Sequence, residues 1–192
     1  MTQTQETPAQ DIETSPDWQP LLVGETVVLR PMAAEDWREM FAAGCDPLIW
    51  AVHPVRDRYK EPVFRRYFEE GLASGSALAI IERSTGAIIG SSRYHVHDPA
   101  SGPNGGEVEI GWTFLVRRHW GGATNREVKR LMLDHAFRWF DCVIFRVGDT
   151  NWRSRGAMAK IGGKLRDGLI DVMVDGEPRP YVVFEIRRDG RL

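Results

Sequence analysis

Apolar residues follow two different periods along this chain. A two-residue period, in which apolar and polar positions alternate, is typical of strands, whereas a period of three to four residues is typical of helices. The first pattern predicts strands at residues 26–31, 77–83, 87–97, 107–116 and 142–149, followed by a hairpin spanning residues 164–186. The second predicts helices at residues 33–44, 62–75, 121–138 and 151–163.

The order of these segments indicates the fold class. The chain runs from one strand through two helices to three strands, and then through a helix, a strand, a helix and two strands. A strand-helix-strand unit over residues 107–149 should join two parallel strands by a right-handed crossover. We therefore expect an α/β (α+β) protein with a mixed, mostly antiparallel sheet and helices on both faces.

Residues 1–20 differ in composition from the rest of the chain. They contain four acidic and no basic side chains, and they offer little to bury apart from Trp18. This composition predicts a flexible tail whose end Trp18 could anchor. Residues 21–192 are then expected to form a single domain, since 192 residues suffice for one substantial core and are few for two.

Charge and cysteine content narrow the class of protein. The 25 basic and 27 acidic side chains give a net charge of −2, so the chain lacks the overall positive charge of a general nucleic-acid binder. No apolar run approaches the length of a membrane span, and the N terminus lacks the pattern of a signal peptide. With only two cysteines, one of them in the apolar run 142–147, we expect a cytoplasmic protein.

The corner between the predicted strand 107–116 and the helix after it carries the most specific chemistry. Its sequence, RRHWGGATN, places basic side chains and two glycines where a helix begins. The first amides of a helix have no partners within it and carry a partial positive charge, so they bind anions. Neither the dinucleotide-binding nor the P-loop glycine spacing fits, which indicates that a phosphate is held in another way.

Arg118, Gly121 and Ala123 fit the pattern R/Q-x-x-G-x-G/A, and the chain here resembles the GNAT superfamily of N-acetyltransferases. The resemblance extends over residues 26–186. It includes GSSRYHVH, VEIGW, GGATNREVKRLMLDHAF and N-x-R-S-R-x-A, which look most like the branch of ribosomal-protein N-terminal acetyltransferases. Without these flanks, the corner would be interpreted as a glycine-rich connection with solvated arginines. The resemblance implies acetyl-CoA as cosubstrate.

The resemblance also implies where acetyl-CoA is held. In this superfamily the cosubstrate lies between two parallel strands that splay apart, here residues 107–116 and 142–149, and loop amides hold its pyrophosphate. Carried over by position, the cofactor-binding residues are Leu115, Val116, Arg118, His119, Trp120, Gly121, Gly122, Ala123, Thr124, Asn125, Asn151 and Ser154.

Acyl transfer to an amine needs a base, and Glu109 is the candidate. The alternation of Val108, Ile110, Trp112 and Phe114 predicts that these four residues share one face of the strand and that Glu109 lies on the other. Several superfamily members use a glutamate on this strand, whereas a solvated carboxylate is the alternative interpretation. Family resemblance also suggests a bulge near Val116, whose main-chain amides would stabilise the oxyanion.

The acid that protonates the departing thiolate is less obvious. The superfamily often has a tyrosine seven residues after the asparagine, but that position is Met158 here. Ser154, one helical turn after Asn151, matches a serine of the ribosomal branch and is the candidate for this acid. The alternative interpretation is that its hydroxyl caps the backbone at the start of the helix. Lys129 and Asn125 both fall on the apolar face of their helix. The pair is directed either at the cofactor or at a packed polar cluster, unless Lys129 only lays its stem on the apolar surface and keeps its ammonium in water.

The acceptor is expected to contact the first helices and the strand 87–97. The substrate-binding candidates are Arg93, Tyr94 and Trp50, with His53 and Arg56 as further lining residues. His95 and His97 have no third ligand at a convincing spacing, so no metal is expected.

Two classes of function fit the sequence. The first is an acetyl-CoA-dependent N-acetyltransferase that acetylates a primary amine, either a protein N-terminal α-amine or a small-molecule amine, by direct attack on the thioester. The second is a noncatalytic module of the same fold that binds RNA or protein through basic residues around the corner, although nucleic acid is not the favoured partner. The sequence leaves a homodimer open.

Overall fold

The structure is a computed structural model that describes residues 15–98, 102 and 105–190. Within these residues nine strands form one sheet: β1 (Leu22–Val23), β2 (Val27–Pro31), β3 (Ala77–Glu82), β4 (Ile88–His95), β5 (Glu107–Leu115), β6 (Cys142–Gly148), β7 (Lys164–Leu165), β8 (Ile170–Val174) and β9 (Glu177–Arg187). The α-helices are α1 (Trp37–Gly44), α2 (Pro47–Trp50), α3 (Glu61–Ala73), α4 (Ala123–Ala136) and α5 (Trp152–Lys160). None of the helices in these residues is long and apolar enough to cross a membrane.

The sheet is mixed, as the sequence predicts. Its strand order is β1-β2-β3-β4-β5-β6-β9-β7, with β8 also paired to β9, and β5 and β6 form the one parallel pair among the described strands. Alternate residues of β3 enter two different hydrophobic clusters. Leu78 and Ile80 pack on the side of α4 and α5, and Ala77 and Ala79 pack on the side of α1 and α3. The expected helices on both faces are therefore confirmed.

The first residues of the predicted tail that the structure describes are packed against the domain. The ring of Trp18 lies 5.8 Å from that of Phe140 and 6.3 Å from that of Tyr94, and the side-chain amide of Gln19 donates to the carbonyl of Ala77. Pro20 is buried. Residues 15–20 therefore pack with the domain, while residues 1–14 of the predicted tail lie outside the described residues.

Strand β5 contains a bulge that breaks the predicted alternation. Trp112 has φ of 52°, and the pairing with β4 shifts between Gly111 and Phe114. Val108 and Ile110 consequently face α4, whereas Phe114 packs in the cluster on the opposite face. The prediction that four alternating residues share one face is wrong, because the extra residue reverses the side on which later side chains emerge.

Strands β5 and β6 separate after a short paired segment. They pair only from Glu107 to Glu109 and from Cys142 to Ile144, although both strands continue for several residues. Beyond this point β5 retains β4 as a partner and β6 retains β9. The sheet therefore opens between them, as the resemblance implies.

Candidate active site

The opening between β5 and β6 contains a cavity of about 730 Å³. Its walls are residues 110–115 of β5, residues 145–148 of β6, the corner before α4 and most of α5. A slot between two diverging strands leaves main-chain groups available to a ligand that enters as an additional strand.

The corner itself is open to an anion. Residues 117–119 form a short 3-10 helix, and α4 begins at Ala123 with Gly122 as its N-cap and with no side chain capping it. Gly121 has φ of 70°, a conformation that favours glycine, and a side chain at either glycine would meet no atom within 4 Å. Unpartnered amides and open space fit a diphosphate.

The side chains around this corner are tied to their surroundings. Arg118 and His119 lie 3.4 Å and 3.2 Å from the carboxylate of Glu82, and the indole of Trp120 donates to the carbonyl of Leu115. His119, Trp120, Gly121, Gly122 and Asn125 line the slot, whereas Arg118, Ala123 and Thr124 are not among the lining residues.

One expected oxyanion donor is already engaged. The amide of Val116 donates to the carbonyl of Ile89 over 2.9 Å, so it is not free to bind a ligand. The bulge lies at Trp112, four residues earlier than the sequence suggested. Its carbonyl accepts a hydrogen bond of 2.7 Å from the hydroxyl of Tyr67, which fixes the bulge against α3.

Helix α5 presents the predicted polar residues to the slot. Asn151 is buried and caps α5 by accepting a hydrogen bond from the amide of Ser154. The side chain of Ser154 lines the slot and has no hydrogen-bond partner among the described residues, while Met158 is buried beside it. Asn151 takes the capping role, so the hydroxyl of Ser154 remains available for chemistry.

Lys129 points into the bottom of the slot. It is 2% exposed, donates to the hydroxyl of Thr113 over 2.7 Å and lies 5.2 Å from the ring of Phe145. The expectation of an ammonium group in water is therefore wrong for this residue. Burial lowers the pKa of Lys129 to about 7, and the charge of Glu109 offsets only part of that effect.

A second cavity of about 350 Å³ adjoins the first and contains Glu109. Glu109 is 4% exposed, so it is not the solvated carboxylate of the alternative interpretation. Its Oε2 lies 2.6 Å from Nε2 of His97 and 3.8 Å from Nε of Arg146. A buried carboxylate in contact with an imidazole can accept a proton through that imidazole.

The three predicted substrate-binding residues lie in different environments. Tyr94 is 1% exposed and donates its hydroxyl hydrogen to the carbonyl of Met132, so it is a core residue and its assignment to substrate binding is wrong. Trp50 lines the slot. Arg93 stacks on Trp112 at 3.6 Å but lines neither cavity.

Five residues line both cavities and mark where they meet: His53, Arg58, Trp112, Arg146 and Tyr181. His53 was among the predicted lining residues, but Arg58, Arg146 and Tyr181 were not. Tyr181 reaches the junction because β9 pairs with β6 at Gly148, which no local spacing reveals. Burial raises the pKa of its hydroxyl.

An antiparallel sheet interrupted by one splayed parallel pair, with an open helix N terminus beside the opening, is the arrangement that the resemblance to the GNAT superfamily implies. The chain matches this family by sequence as well: residues 26–164 match the family model described as acetyltransferase (GNAT) domain. It is therefore a member of the GNAT acetyltransferase family, which uses acetyl-CoA. No curated protein matches the chain.

Solved structures agree on the fold. A GNAT-family acetyltransferase from Chromobacterium violaceum has a TM-score of 0.76 at 20% identity, covering 97% of this chain and 96% of that one. A GCN5-related N-acetyltransferase from Brucella melitensis has a TM-score of 0.74 at 19% identity, covering 90% and 80%. RimJ from Mycobacterium smegmatis in complex with CoA-disulfide has a TM-score of 0.68 at 19% identity, covering 91% and 90%.

Proposed function

We propose that the protein is an acetyl-CoA-dependent N-acetyltransferase whose acceptor is a primary amine, on a protein N terminus or on a small molecule. The observation that carries this proposal is the meeting of two cavities at shared residues. One cavity follows the splayed strands and the open helix N terminus, and the other contains a buried carboxylate. Two reactants that enter from opposite sides would meet at the junction.

When bound, acetyl-CoA supplies an acyl group activated as a thioester. The amides around Gly121 and Gly122 would hold its diphosphate. The unpaired edges of β5 and β6 would bind its pantetheine arm. The bulge at Trp112 locally disrupts the ladder of β5 beside the junction.

Glu109 and His97 form the candidate base. The carboxylate is fixed by its contact with the imidazole, so the pair can take up the proton that the amine must lose. An α-amine with a pKa near 7.8 costs only about 1 kcal/mol to deprotonate at pH 7, whereas a lysine amine costs about 4.6 kcal/mol. This difference favours an acceptor with a low amine pKa, such as an α-amine.

Two hydroxyls are placed to protonate the thiolate. Ser154 lines the slot alone, and Tyr181 lines both cavities. Tyr181 supplies a phenol near the junction in a chain that has Met158 at the family's usual tyrosine position. We therefore assign the role of general acid to Tyr181, with Ser154 as the other candidate.

The alternative of an RNA-binding module is less well supported. Several arginines of the proposed basic patch are neutralised by ion pairs, such as Arg117 with Asp46 and Arg155 with Asp149. Arg153 lies over the ring of Trp120 at 3.9 Å, which occupies an aromatic face that a base would need.

A thiol-release assay with acetyl-CoA and a panel of primary amines tests the proposal. The wild-type protein should release CoA with at least one amine, and Glu109→Gln should lower kcat by about 100-fold or more. Glu107→Gln is the matched control on the same strand, because Glu107 pairs with Arg166 away from both cavities. Absence of turnover with every amine, or equal losses in the two variants, would contradict the assignment.

A further inference from the structure

His53 and Arg58 form a contact that lacks a hydrogen-bond acceptor. The amide of Val55 donates to Nδ1 of His53 over 2.9 Å, so Nδ1 carries no proton. The neutral imidazole must then carry its proton on Nε2. Nη1 of Arg58 lies 3.3 Å from this Nε2, and a guanidinium has only donors. Two donors therefore face each other.

The protonation state strengthens this conclusion. Burial, together with the charge of Arg58, lowers the pKa of His53 to about 3, so the ring is neutral near pH 7. Arginine side chains stay protonated in proteins at that pH, so Arg58 cannot act as the acceptor. The missing acceptor must therefore come from outside the pair.

Among the described residues, no carboxylate acts as this acceptor. Arg58 lies over the rings of Trp50 and Tyr67, at 5.1 Å and 4.8 Å, and forms no ion pair with any described residue. Burial lowers the pKa of Arg58 as well, and the charges of Glu70 and Asp175 offset only part of that effect.

The position of the pair indicates what the acceptor is. Both residues line the slot and the second cavity, which we call the acceptor cavity because the acceptor would bind there. Nε of Arg146 on the same walls is buried without a hydrogen-bond partner and lies 3.8 Å from Glu109. The acidic residues Glu70, Glu109 and Asp175 line the same cavity, but Glu109 pairs with His97 and Asp175 with Arg66. The walls shared by the two cavities thus carry hydrogen-bond donors of Arg58, His53 and Arg146.

We propose that Arg58 and His53 together bind an anionic oxygen of the acceptor, so that the substrate is a primary amine that also carries a carboxylate or phosphate group. This inference rests on the proposed function. The oxygen would accept from Nη1 of Arg58 and from Nε2 of His53, which turns an unfavourable contact into two hydrogen bonds. Glu109 and His97 in the same cavity would receive the amine end.

Matched acceptors test the proposal. Glycine and alanine are compared with glycinamide and alaninamide, and 2-aminoethyl phosphate with 2-aminoethanol, each at saturating acetyl-CoA. Because a carboxylate or phosphate raises the pKa of the neighbouring amine, kcat/KM is calculated throughout on the concentration of unprotonated amine. On this basis the wild type should favour one anionic member of a pair at least about tenfold, and the two arms distinguish carboxylate from phosphate. In Arg58→Met this preference should vanish through a higher KM for the anionic acceptor.

Arg65→Met is the control for loss of an arginine stacked on tryptophan. Arg65 lies over Trp37 at 3.8 Å, outside both cavities, and its one ion pair among the described residues is with Glu61 at the surface. Its variant should keep the wild-type preference. Arg58→Lys retains the positive charge and should keep part of the preference for the anionic acceptor. Thermal shifts produced by glycine and by 2-aminoethyl phosphate give a readout without turnover, and they should disappear in Arg58→Met.

Three results would overturn the inference. One is equal kcat/KM for anionic and neutral acceptors in the wild type, which would leave the acetyltransferase function intact. A second is an equal loss with both kinds of acceptor in Arg58→Met, which would place the guanidinium at the thioester oxygen instead. The third is a thermal shift by the anionic compounds that survives in Arg58→Met. Absence of any acetyl-CoA turnover would instead count against the proposed function.

Discussion

Replacement of Lys129 by methionine should stabilise the protein, and the gain should depend on pH. Lys129 is buried at the bottom of the slot, with one hydroxyl partner and an aromatic face beside it. Methionine has a similar length and no charge, so it removes the cost of burying an ammonium group and fills the same space.

The magnitude follows from the pKa of Lys129, which is about 7 in the folded protein against an ordinary 10.5. Because the folded pKa is lowered, the unfolded chain binds more protons between these values, and stability rises with pH across that window. Below pH 7 both states are protonated and the full penalty applies. Linkage over the two pKa values gives a rise of about 3 kcal/mol in the free energy of unfolding between pH 6 and pH 9.

Urea unfolding followed by tryptophan fluorescence at pH 6 and pH 9 measures this effect. The advantage of Lys129→Met over the wild type should be larger at pH 6 than at pH 9 by about 3 kcal/mol. Lys60→Met, at an exposed lysine, should show no such difference. A pH dependence that is the same in wild type and Lys129→Met would refute the argument that this ammonium group is desolvated.

Three further predictions concern single side chains. Tyr67→Phe removes hydrogen bonds to Ser91 and to the carbonyl at the β5 bulge, so it should cost about 1–3 kcal/mol in chemical denaturation and lower kcat as well. Tyr181→Phe should lower kcat by about 100-fold while KM for acetyl-CoA stays constant, and a larger loss in Ser154→Ala would assign the acid to Ser154 instead. Burial opposes ionisation of Asp36, but its hydrogen bonds with Arg30 and with a backbone amide lower its pKa. Asp36→Asn should therefore be less stable than the wild type near neutral pH, and this difference should shrink as the pH falls through the lowered pKa. A difference in stability that stays constant in acid would contradict this.

The sheet could be predicted from the sequence because its strands repeat apolar positions every two residues. The bulge at Trp112 could not, since it depends on pairing with β4 and on the hydroxyl of Tyr67 from a helix far away in sequence. A periodicity argument assumes a regular strand, and one extra residue reverses the faces of everything after it. That is why Phe114 was assigned to the wrong side.

The site was predictable only where its chemistry is local. The corner at Gly121 and Gly122 is one continuous stretch, so its motif is readable in the chain. Tyr94 looked like a substrate residue because its strand borders the acceptor cavity, but its side chain emerges on the other face. The contact between His53 and Arg58 lies in an irregular segment after α2, where no period fixes side-chain direction.

Titration of CoA into the protein in a calorimeter, with two glycine variants alongside, tests the central claim most directly. Gly121 and Gly86 have nearly the same φ, 70° and 71°, and a side chain at either would meet no atom within 4 Å, but only Gly121 lines the slot. The wild type should bind CoA, Gly121→Val should bind it at least about tenfold more weakly, and Gly86→Val should bind it as the wild type does. No binding by the wild type, or equal weakening in both variants, would contradict the claim that the corner before α4 holds the diphosphate.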